Sequence, residues 1–218
     1  SGSDNIALGN YALQMNTTGS EHTAVGDDAL SPTIDGYSNV AIGKNSLASN
    51  TSGGGNSALG TGALQSNTTG GSNVAIGDDA LPSLTTGYYN TSIGSQSLRQ
   101  NSSGNDNTAV GAGSLGMNTA DGNTAVGAYS LASNTSGDDN TAVGFQSLEI
   151  NTTGYDNTAL GNNSLKSNTT GYDNTALGNE ALESNTTGND NTAVGDRALA
   201  DNTTGQQNTA IGENSLSN

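Results

Sequence analysis

Asn151-Thr-Thr-Gly-Tyr-Asp-Asn-Thr-Ala-Leu-Gly161 returns, residue for residue, at 168–178. Working outward from that pair, the pentapeptide Asn-Thr-Ala-Val-Gly and its close variants place a glycine at Gly9, Gly26, Gly43, Gly60, Gly77, Gly94, Gly111, Gly127, Gly144, Gly161, Gly178, Gly195 and Gly212. Every interval is 17 residues except Gly111 to Gly127, which is 16, with the deletion near Asp121–Gly122. The unit reads N-T-A-(V/L/I)-G-x-x-(S/A)-L-x-x-N-T-T-G-x-x, and no segment of the chain lies outside it. A fixed period of this length marks a repeat architecture. Catalysis needs one copy of each group in one place, so the repetition points away from an enzyme.

The residue before each anchor glycine is always aliphatic, from Leu8 and Val25 to Ile211. Four residues after the glycine comes leucine in every copy, from Leu13 to Leu216, and Ala or Ser precedes it. Only 30% of the chain is hydrophobic, with no Trp, one Phe and 32 Gly, which cannot fill a large core and by composition leans toward disorder. A solenoid resolves the conflict, because each coil buries a few side chains against the coils on either side. The leucine and the aliphatic residue are expected to tuck beneath their equivalents in the next coil.

Helical repeats fit poorly, since each unit carries two Gly, several β-formers and an Asn-Thr-Thr run. Val40-Ala-Ile42 and Val74-Ala-Ile76 alternate large-small-large, the period of a strand. The spacing predicts a short strand over Thr-Ala-Val, a turn at Gly-x-x, and a second short strand around Ser-Leu. Asn-Thr-Thr-Gly closes the coil, glycine supplying a turn conformation that other residues resist. The fold class is all-β, a parallel β-solenoid (β-roll) of about 13 coils with 17 residues each, and residues 1–218 form a single repeat segment. Coils in register sit about 4.8 Å apart, so identical residues stack into columns. Asn107, Asn123, Asn140 and Asn157 belong to one asparagine column, and Asn134, Asn151, Asn168 and Asn185 to another. Amides in such columns can bond from coil to coil. His22 interrupts the first column; Thr33 and Leu84, following Pro32 and Pro82, interrupt the second, where distortion is expected. The 16-residue coil should be tightened.

Asn39-Val-Ala-Ile-Gly43 and Asn73-Val-Ala-Ile-Gly77, followed by Ser46 or Ala80, resemble the YadA-like head repeats of trimeric autotransporter adhesins. The 17-residue form ending in Ser-Asn-Thr-Thr-Gly is also similar to repeat regions of phage tail fibres and large bacterial surface proteins. The resemblance covers essentially the whole chain. It implies a left-handed β-roll, three chains side by side, and an exposed adhesive or fibrous role at a cell or virion surface. The coil here is about three residues longer than the adhesin pattern. The small residues Ala109, Ala125, Ala142, Ser114, Ser130 and Ser147 either suit close approach of another chain or merely fit a narrow turn or point to solvent.

Chemistry has few footholds. There is one histidine, His22, and no cysteine, which removes Cys nucleophiles and His clusters; no phosphate-loop pattern occurs. Asp139, Asp156, Asp173 and Asp190 share one phase, with Asp4 and Asp106 earlier. Carboxylates about 5 Å apart repel by roughly 1 kcal/mol in water, which weakly bound calcium could relieve; splaying apart in screened solvent is the simpler reading. The formal net charge is −16, with Lys44, Arg99, Lys166 and Arg197 the only Lys and Arg, so nucleic acid is not an expected partner. That charge favours solubility and suits an extracellular protein. Tyr37, Tyr88, Tyr155 and Tyr172 follow the second turn glycine or its equivalent, where they could contact cell-surface glycans or simply cover coil edges. Asn-x-Ser/Thr recurs at Asn16, Asn50, Asn67, Asn101, Asn134, Asn151, Asn168, Asn185 and Asn202, and an inward ladder and glycosylation exclude each other there. Threonine columns raise ice binding as an alternative, disfavoured if Thr and Val point inward together. No transmembrane run is visible. The chain opens in mid-repeat and stops before an expected Thr-Thr-Gly, which suggests a segment of a longer fibre; a self-polymerising matrix fibril is the other reading.

Overall fold

The computed structural model describes residues 2–31 and 33–217. The chain divides into two compact units, Ser1–Asn107 and Thr108–Asn218. The first holds strands Ile6–Leu8 (β1), Thr23–Val25 (β2), Val40–Ile42 (β3), Ser57–Leu59 (β4), Val74–Ile76 (β5) and Thr91–Ile93 (β6). The second holds Thr108–Val110 (β7), Thr124–Val126 (β8), Thr141–Val143 (β9), Thr158–Leu160 (β10), Thr175–Leu177 (β11), Thr192–Val194 (β12) and Thr209–Ile211 (β13). Within each unit the strands pair parallel and in sequence order, Thr158 opposite Thr175 and Ala159 opposite Ala176. The all-β parallel solenoid expected from the period is what the chain forms, with no helix among the described residues. In β7 and β8 the register absorbs the deletion, Thr108 pairing with Thr124.

Each coil has one strand, not two. The Ser-Leu segment expected as a second strand is turn, and its leucine sits in the left-handed region at every described coil, as at Leu47 (φ 50°), Leu115 (φ 49°) and Leu182 (φ 53°). Left-handed backbone costs an L-residue roughly 1–2 kcal/mol. Burying a leucine returns about 1.5–3 kcal/mol, and Leu47, Leu64, Leu115 and Leu148 are fully buried. The turn also keeps the backbone ladder intact, with Leu47 N–H donating to Ala63 O at 3.0 Å in the next coil.

The anchor glycine cannot be replaced by geometry alone. Gly26 lies at φ 142°, and a Cβ there would come within 2.5 Å of Gly43 O in the adjacent coil. Only a residue without a side chain lets the coils approach at strand spacing.

The strand's inner side also differs from the expectation. Its middle residue is buried, as Ala41, Ala58, Ala142 and Ala159 are, whereas the aliphatic residue before the glycine faces outward: Ile42 is 37% exposed and Leu59 46%. Threonine shares that outer side, half-buried at Thr141 and Thr158. The expectation that Thr and Val are buried together therefore fails. Leucine and two asparagines already fill most of a thin coil, so the inward strand position takes only a small side chain. Ser92 shows what it faces, its Oγ lying 2.5 Å from Ser97 Oγ across the interior. The small residues Ala109, Ala125, Ala142, Ser114, Ser130 and Ser147 are all buried inside the coil. The alanines line the inner side of the strands and the serines the turn, so none of the six is presented to a second chain; Ser147 Oγ donates to Gly144 O at 3.1 Å.

Both asparagine columns point inward as expected. Asn157 Nδ2 donates to Asn140 Oδ1 at 3.0 Å and to Gly171 O at 2.8 Å, and its Oδ1 accepts Asn174 N–H at 3.1 Å. In the other column Asn151 Nδ2 donates to Asn134 Oδ1 and to Gly154 O, both at 2.8 Å. Where the sequence breaks this column, so does the bonding: Asn16 Oδ1 and Asn67 Oδ1, facing Thr33 and Leu84 in the next coil, are buried without partners. Pro32 lies outside the described residues. At Pro82 the distortion is local: the ring lacks the turn donor that Gln65 gives to Gly62 O at 3.2 Å one coil earlier, while Ser66 N–H still donates to Pro82 O at 3.0 Å between coils. The short coil is tightened: Asn118 Nδ2 reaches Ala120 O at 2.9 Å, two residues on, where other coils reach a glycine three residues on.

Candidate functional site

Three outward columns are available for contact. The first is the outer side of the strands. In each unit every strand contributes one threonine, serine or aliphatic residue and, two positions later, one Val, Ile or Leu. Val40, Ile42, Leu59, Ile76 and Ile93 on the first unit are 36–46% exposed, and Val143 and Leu160 on the second 37% and 38%. Apolar side chains recurring at one phase on successive coils form a continuous stripe, the kind of surface that a partner covers. Sequence reasoning missed this stripe by assigning the large residues inward. The signal was present: the middle strand position is only Ala or Ser throughout, and a position that never varies in size is the confined one.

The second column carries the tyrosines. Tyr155 and Tyr172 stack face to face, centroids 4.9 Å apart with rings 2° from parallel. Partial desolvation, then the charges of Tyr172, Asp173, Asp156 and Asp190, push the Tyr155 phenol above its ordinary 10.0. Tyr37 and Tyr88 sit at the same phase in the first unit, separated by Gly54 and Gly71. Each ring lies over the neighbouring glycine: a Cβ at Gly54 would come 2.7 Å from the Tyr37 ring, and one at Gly71 3.2 Å from the Tyr88 ring. Tyr88 is further tied by its hydroxyl, which donates to Thr69 O at 3.2 Å. The four rings thus cover coil edges while keeping one side in solvent; Tyr37 is 62% exposed and Tyr155 43%. The structure pairs Tyr155 with Tyr172 and leaves Tyr37 and Tyr88 in separate places.

The third column holds Asp139, Asp156, Asp173 and Asp190, all exposed and all in the left-handed region, φ 54° to 56°. The same phase elsewhere holds Ser38, Gly55, Ser72 and Gly122, also at positive φ. Aspartate tolerates that conformation better than most residues, which accounts for the column without a ligand. Among the described residues no three of His, Cys, Asp and Glu come together to hold a metal.

Stacking also organises the surface charges. Lys44 pairs with Asp27 at 3.8 Å, Lys166 with Glu149 at 3.8 Å and Arg197 with Glu180 at 3.6 Å, each cation over a carboxylate at its own phase one coil earlier. The exposed Lys44–Asp27 pair adds little stability, and the other two are only partly exposed. The glycosylation patterns at Asn50, Asn67, Asn101, Asn134, Asn151, Asn168 and Asn185 place their amides inside the coil, fully buried. No described helix is long and apolar enough to cross a membrane. Compared with known proteins, the chain matches no family model, and no characterised protein matches it significantly.

Proposed function

We propose that this chain is a structural segment of an extracellular adhesive fibre, of the adhesin-head or phage tail-fibre type, in which copies associate through the outer side of the strands. The observation that carries the reading is the outward row of Val, Ile and Leu on successive coils. A repeated stripe buries area in proportion to coil number, so weak contact per coil sums to stable association. The resemblance to adhesin head repeats makes the assembly a trimer. The turns then remain outside, and the tyrosine column, with Tyr155 and Tyr172 stacked, offers flat aromatic faces for cell-surface glycans. Sedimentation equilibrium tests the assembly: the expected mass is three times the 21.5 kDa chain. A monomer across the micromolar range overturns it. A glycan array tests adhesion, and silence across it assigns the segment to a passive shaft.

A second reading, ice binding, draws on the same side of the sheet. Threonine and aliphatic residues face outward together, in two rows at strand spacing, as at Thr141 and Val143 or Thr158 and Leu160. Thermal hysteresis of the purified protein decides it; a freezing point equal to the melting point rejects it.

A further inference from the structure

His22 stands in an asparagine column and imitates the amide it replaces. Its own N–H donates to Asn5 Oδ1 at 2.9 Å in the preceding coil. Its Nδ1 takes the part of the asparagine oxygen, accepting Asn39 N–H at 3.2 Å from the following coil, as Asn39 Oδ1 accepts Asn56 N–H at 2.9 Å. Its Nε2 takes the part of the asparagine nitrogen, with Gly36 as the backbone group on its side, where Asn39 uses Gly53. The imitation is incomplete, because Nε2 is buried without a hydrogen-bond partner while the ring is 1% exposed.

An asparagine has no second protonation state, whereas histidine does. We propose that His22 makes the second coil the acid-labile rung of the first unit: protonation at Nδ1 turns the acceptor for Asn39 N–H into a donor and opens the ladder between the two coils. Two donors then face each other at 3.2 Å in a site closed to water. No charge is at hand to settle the imidazolium among the described residues. Gly19 and the neutral amide of Asn16 lie beside Nε2, and Gly36 and Asn39 face the ring from the following side. The carboxylates nearest in sequence, Asp4, Glu21 and Asp35, are all exposed on outer turns. Burial accordingly lowers the His22 pKa below 6.5.

The sign follows from linkage. Below pH 6.5 the opened coil binds a proton that the closed coil refuses, so stability is complete above 6.5 and falls as the pH drops toward the folded value. The test is native-state hydrogen exchange on the whole chain between pH 7.5 and 5, following the Asn39 and Asn56 amides as an internal pair. Asn39 protection, corrected for intrinsic rate, is expected to stay level above pH 6.5 and to fall up to about tenfold per pH unit below it. Asn56, whose acceptor is an asparagine, should stay level. His22→Asn should flatten the Asn39 profile onto that of Asn56. Equal profiles for the two amides in the unaltered chain overturn the proposal, and so does a pH-dependent Asn39 profile that survives His22→Asn. If the variant does not fold, the comparison within the unaltered chain still decides.

Discussion

A fully buried leucine at positive φ is the residue-scale signature of this coil. At Leu148 (φ 51°) the backbone pays a left-handed penalty of roughly 1–2 kcal/mol that only burial offsets. Leu148→Ala keeps the penalty and loses the burial, and should destabilise by about 2–5 kcal/mol in urea unfolding. At the exposed left-handed position the balance reverses. Asp156→Gly should be neutral or stabilising by up to about 1 kcal/mol, whereas Asp156→Val should destabilise, because a β-branched residue resists φ 54°. Calcium gives the discriminating measurement at that column. Added calcium should leave the melting temperature unchanged, and a rise abolished by Asp156→Asn would establish a site there. Inside the coil, Asn157→Ala strips the buried Asn174 N–H of its acceptor, while the Gly171 carbonyl keeps Asn168 Nδ2 at 2.9 Å. That one stranded donor should cost about 1–3 kcal/mol in the same unfolding experiment.

At the scale of the element, one strand, three turns and two amide ladders make a coil, and its weakest tolerance is for bulk at the anchor glycine. Gly26→Ala meets both an unfavourable φ of 142° and the Gly43 carbonyl, so the two coils must separate. Hydrogen exchange should show lost protection at β2 and β3 first, and a variant as protected as the unaltered chain would show that the stack yields more easily than its geometry implies. The strand itself was legible in the sequence through its large-small-large pattern. Its facing was not, since alternation has two phases, and hydrophobicity alone chose the wrong one for Val40 and Ile42. The Ser-Leu turn was hidden for a related reason: leucine is a poor marker of a left-handed residue, and only the closed path of the coil forces it there. The tyrosine and aspartate columns were legible as columns, because stacking preserves phase, while the stacking of Tyr155 on Tyr172 depended on the coil spacing.

At the scale of the whole molecule the balance lies between an exposed apolar stripe and a net charge of −16. The strands themselves carry no charged residue, so in the proposed assembly their outer side is where copies meet with least repulsion. Placing a cation there, as in Leu59→Lys, should raise the dissociation constant of the proposed trimer by at least tenfold in sedimentation analysis. A matched change on the turn side, Thr153→Lys, should leave it unaltered. Equal effects would locate the contact elsewhere.

The sequence by itself determined the period, the parallel in-register stack, the inward leucine and the two asparagine ladders. Identical residues at a constant phase can only pile on themselves, and leucine and amide side chains each have one satisfactory place in such a pile. Tertiary structure alone decided which side of a three-residue strand is the inside. The interior is already occupied by Leu and Asn, so its remaining width admits Ala or Ser and turns the larger aliphatic residues outward, into the stripe on which the proposed assembly rests.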